Sequence, residues 1–69
     1  MPNIENVGRI LLSGTIEPKQ AQIEGICRFN GADVYYVNTN YPEPHGGGWD
    51  IWTDADLQRV ERQQDDLRR

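Results

Sequence analysis

The stretch QAQIEGICRF (residues 20–29) alternates with a period of two, and no other feature limits the folding options of the chain so sharply. Ala21, Ile23, Gly25, Cys27 and Phe29 share one parity; Gln20, Gln22, Glu24 and Arg28 share the other, with Ile26 as the exception. Successive side chains leave a strand on opposite sides, so this period marks a half-buried strand. Gly25 in mid-strand points to a bulge or sharp bend. Asn30 and Gly31 follow, and both tolerate the positive φ that a two-residue hairpin turn demands. VYYVN (34–38) then supplies β-branched and aromatic residues for a returning strand. A β-hairpin over residues 20–38 is the expected nucleus of the fold.

The flanking segments extend it. GRILLSG (8–14) is a short apolar run bounded by glycines and reads as a first strand, preceded by a flexible arm at residues 1–7. TIEPKQ (15–20) contains Pro18 and reads as a loop. Residues 39–48 hold Pro42, Pro44 and Gly46 to Gly48, which favours a long exposed loop. WDIW (49–52) resumes alternation, with Trp49 and Ile51 on one face and Asp50 and Trp52 on the other. Thr53 and Asp56 stand at capping-box spacing, with Asp in place of the usual Glu.

Two readings compete after Asp56. Leu57, Val60, Gln64 and Leu67 fall at helical spacing and form a weak stripe. Alternatively, one helical turn at 54–57 gives way to a last short strand, QRVE, with residues 63–69 as a charged tail. The second is preferred, because four or five short strands can close and hide their edges.

That order of signals resembles an SH3-like small barrel, which implies an all-β fold over residues 8–62. It consists of four to five short antiparallel strands with a one-turn helix before the last. Within that class the chain resembles the plasmid-borne type II dihydrofolate reductase family through GRILLSG, AQIEGICRF, WDIW and ADLQRVE. The family carries a Val-Gln-Ile-Tyr run on its pore-facing strand and a lysine on its first strand. Here Trp49, Asp50, Ile51 and Trp52 occupy the run, and Leu11 and Leu12 stand where the lysine is expected. The resemblance thus implies the fold and self-assembly, while Asp50, which would repel an anionic cofactor, argues against reductase activity.

Composition sets the remaining bounds. With 36% apolar residues and seven glycines, 69 residues suffice for one thin core. One cysteine excludes an internal disulfide. A net charge of −4 disfavours nucleic acid as a partner. No leader pattern and no run of about 18 apolar residues is seen, so a cytoplasmic protein without membrane attachment is expected.

Trp49, Trp52, Tyr35, Tyr36 and Tyr41 are too many large aromatics for all to point inward in so small a domain. The candidate binding residues are Trp52, Asp50, Tyr36, Tyr41, His45 and Trp49. Trp52 and Asp50 are expected on the outward face with Tyr36 and Tyr41 beside them, His45 on an adaptable glycine-rich rim, and Trp49, sharing parity with Ile51, as the more inward of the two tryptophans. Cys27, sharing parity with Ile23, is expected as a buried, inert thiol. No set of ligands at metal spacing surrounds His45, and neither a metal nor a cofactor is expected. The function expected is a non-enzymatic binding module that self-associates and engages a protein partner, of the inhibitor type found in phages and mobile elements. The alternative is an oligomeric barrel that binds a small molecule.

Overall fold

A computed structural model describes residues 1–14, 16–43 and 48–67. Four strands, β1 (Ile10–Ser13), β2 (Lys19–Phe29), β3 (Ala32–Asn38) and β4 (Trp49–Trp52), form one antiparallel sheet in the order β1-β2-β3-β4. A helix, α1 (Asp54–Leu67), follows β4 without a loop, and a single 3-10 turn spans Ile4–Asn6.

The hairpin stands as the alternation and the Asn-Gly pair predict. Phe29 pairs with Ala32, leaving a two-residue turn in which Asn30 (φ 51°) and Gly31 (φ 79°) are both left-handed. The register shifts between Ile23 and Gly25, so the bulge is present as well. Its effect is larger than a bend. One unpaired residue reverses the parity of everything after it. Ala21 and Ile23 therefore face one side of the sheet, and Gly25, Cys27 and Phe29 face the other.

The sheet is open, and the expected closure by a fifth strand does not occur. Residues 58–61, expected as strand QRVE, lie inside the 14-residue helix α1, which also takes in most of the expected tail. The reason lies in Leu57 and Val60, both buried. A strand would send residues three apart to opposite faces, whereas a helix brings both to one. They pack with Leu11, Ala21, Ile23, Tyr35, Val37 and Trp52 in the single core, and Val7 adds a partly buried contact. The side chain of Leu67, the last member of the helical stripe, lies outside the described residues. All-β describes the sheet; among the described residues the fold is a four-stranded meander with one helix against one face.

The start of α1 is built as its sequence predicts. The Asp56 N–H donates to Thr53 Oγ1 at 3.2 Å, and the Thr53 N–H donates back to Asp56 Oδ2 at 3.0 Å. This reciprocal pair satisfies donors that a helix start leaves unpartnered.

Residues 1–7, expected as a loose arm, are held by Val7 against the core, by the Met1 ammonium on Asp54 Oδ2 at 2.6 Å, and by one buried phenol. The Tyr35 hydroxyl oxygen accepts from the Asn3 backbone N–H at 2.7 Å and from Asn6 Nδ2 at 2.8 Å. Asn6 Oδ1 accepts in turn from Arg9, which also reaches Glu61 on α1.

Candidate contact surface

α1 covers one face of the sheet, and the other face has no covering element among the described residues. The ladder register says which side chains lie on it, since directly paired residues share a face. Ile10, Gln22, Asn38 and Trp49 form one row across all four strands. Gly25, Tyr36 and Ile51 form the next, followed by the pairs Cys27–Val34 and Phe29–Ala32. None of these ladder-paired residues is charged, in a chain whose charged fraction is 26%. Glu24, unpaired in the bulge, belongs to neither row.

Large apolar side chains on this face meet solvent. Trp49 is 41% exposed, Tyr36 39%, Phe29 49% and Ile10 45%. Trp49 and Tyr36 are diagonal neighbours on β4 and β3, and their rings stack with centroids 4.5 Å apart and planes 2° from parallel. Beside them a shallow apolar depression of about 400 Å³ is lined by Cys27, Tyr36, Trp49, Asp50 and Ile51.

The two tryptophans exchange the positions expected of them. Their alternation is as expected, but the faces are reversed. Trp52 pairs with Tyr35 and is buried, 4% exposed, beneath the helix that begins two residues later. Its indole N–H donates to Asp50 Oδ2 at 3.2 Å. Trp49, expected toward the core, stands on the open face with Ile51. Packing of α1 goes with this arrangement: Leu57 and Val60 share the core with Trp52, and Trp49 is left on the side without the helix.

Asp50 is exposed yet engaged at both oxygens. Oδ1 accepts the backbone N–H of Ile51 at 2.8 Å, and Oδ2 accepts the Trp52 indole. It therefore holds Trp52 and occupies an outward N–H of the edge strand β4, and it has less to offer a partner than expected. Gln64 serves β1 similarly, its Oε1 accepting the Leu12 N–H at 2.7 Å. Side chains thus occupy backbone donors on both sheet edges, which disfavours strand-to-strand pairing with another chain.

Tyr41 is half-buried at the exit of β3, where its N–H donates to the Gln20 carbonyl at 3.1 Å. The neck of the following loop closes where Thr39 donates both its N–H and its hydroxyl to the Gly48 carbonyl. Gly48 has φ 109°, and a Cβ there would come within 2.9 Å of Asn40 Cβ, so only glycine fits. His45 and the rest of the glycine-rich rim lie outside the described residues. Cys27 is a free, half-buried thiol on the open face, and not the buried one expected. Phe29 and Cys27 join the surface because of the bulge at Gly25, whose reversal of parity was the signal available in the sequence, while Ile10 lies there because its neighbour Leu11 faces the core.

Among the described residues one titratable group shifts clearly. The Asp56 carboxyl is held below its ordinary value chiefly by the Thr53 backbone N–H; burial opposes this as the next influence in size, and the Thr53 hydroxyl and Arg59 add further lowering. Among the described residues no group of three or more His, Cys, Asp or Glu side chains converges to hold a metal, and no helix is long and apolar enough to cross a membrane. Comparison with protein-family models, curated proteins and solved structures finds no match for the chain.

Proposed function

We propose that this chain is a small, non-enzymatic binding module that engages a protein surface through the helix-free face of its sheet. The observation that carries the reading is the half-exposed Tyr36–Trp49 stack, set in rows whose ladder-paired residues carry no charge. Rigid aromatics lose little conformational freedom on contact and supply much of the energy of protein interfaces. A contiguous apolar patch on a small chain also costs solubility, and such patches commonly mark interaction sites. The phage or mobile-element inhibitor reading rests on size and acidity. The small-molecule alternative has less behind it, since the depression beside Trp49 is open and shallow.

The test compares affinity capture, from a host lysate that also contains the untagged chain, by the wild type and by Trp49→Ala. The reading expects a protein retained by the wild type and lost from a Trp49→Ala variant whose circular dichroism is unchanged. Equal capture by both would contradict it.

A further inference from the structure

We infer that the occupant of the helix-free face is a second copy of this chain, packed sheet against sheet about a two-fold axis. This rests on the reading of that face as a contact surface, and it names the partner. Three observations support it.

The first is charge. Each copy carries −4, so two copies repel wherever their charged surfaces meet. The face without charged ladder residues is where that repulsion is smallest. A foreign partner is ordinarily selected by complementary charges, and the paired residues here offer none. A contact between identical faces needs none, because a two-fold axis makes one patch its own partner.

The second is relief. Tyr36 and Trp49 form a ridge on the β3–β4 half. On β2 in the other half, Gly25 presents no side chain, and nothing lies within 4 Å of where its Cβ would stand. A two-fold axis along the strands sets each ridge over the partner's β1–β2 half, where the gap at Gly25 and the apolar Ile10 receive it.

The third is area. The seven residues of β3 span about 23 Å, and four strands about 4.8 Å apart make the face roughly 440 Å² in projection. Accessible area exceeds projected area on a corrugated surface, so two such faces approach the roughly 1,200 Å² at which specific interfaces begin. The edges offer a poorer route, since Asp50 and Gln64 each occupy an edge donor. The product is a four-layer stack, helix-sheet-sheet-helix, with the sheets about 10 Å apart as in sandwiches.

Sedimentation equilibrium of the full chain tests this. The wild type is expected at twice the 7.9 kDa chain mass, with an association that added salt leaves unchanged or strengthens. Trp49→Glu, which would bury a carboxylate without a counter-charge against the partner's apolar Ile10, is expected to sediment as a folded monomer. A second readout needs no variant. Maleimide labelling of Cys27 in the wild type should slow several-fold as concentration rises through the association range. A wild type that stays monomeric, a folded Trp49→Glu that remains dimeric, or a Cys27 rate independent of concentration would overturn the inference. A monomeric wild type whose lysate capture still depends on Trp49 would reject the second copy while keeping the contact surface; loss of both would reject the two together.

Discussion

The ring of Trp49 lies flat on that of Tyr36, centroids 4.5 Å apart, on the side of the sheet that α1 does not cover. Three residues along β4, Trp52 is enclosed in the core with its indole N–H on Asp50. Two tryptophans in one four-residue strand thus do opposite work.

Their substitutions should separate accordingly. Trp52→Ala empties a core site and is expected to cost about 3–5 kcal/mol, enough to unfold much of so small a domain. Trp49→Ala loses a stacked, half-exposed contact worth about 1 kcal/mol. Urea melts at low protein concentration measure both. Equal costs would contradict the assignment of faces.

Tyr35→Phe should cost about 1–3 kcal/mol, because two donors 32 and 29 residues away in sequence lose their acceptor. Hydrogen exchange should show the loss first at the Asn3 amide and the following 3-10 turn. If those amides exchange at the same rate in both proteins, the phenol does not hold the N-terminal segment.

Thr53→Ala removes the helix cap and is expected to cost about 1 kcal/mol. The cap also has a pH signature. Asp56 is held below its ordinary value of 3.8 in the folded chain, so its stabilising contribution is complete above that value and is lost as pH falls through the lowered one. The stability difference between wild type and Asp56→Ala should therefore shrink in that acidic window. A difference that stays constant from neutral pH down through it would contradict the reciprocal cap.

Local chemistry made part of this structure legible. Asn30-Gly31, the bulge at Gly25 and the Thr53–Asp56 cap each depend on residues close in sequence, and each is found where its pattern predicts. What was not legible depends on distant contacts. The choice of helix over strand after Asp56 is settled by burial of Leu57 and Val60 against β1 and β4, and by Gln64 reaching Leu12. The exchange of Trp49 and Trp52 goes with the same packing, since alternation separates two faces without saying which is covered. The move of Cys27 and Phe29 to the open face needed only the bulge carried through the strand. Asn3 and Asn6 gave no local sign of their attachment to Tyr35.

Collisional quenching by acrylamide of single-tryptophan variants, diluted until the signal no longer depends on concentration, tests the partition of the two faces most directly. Trp49, alone in Trp52→Phe, should be readily quenched, and Trp52, alone in Trp49→Phe, should be shielded and emit at shorter wavelength. Equal shielding of both, or a Trp52 more accessible than Trp49, would contradict the account.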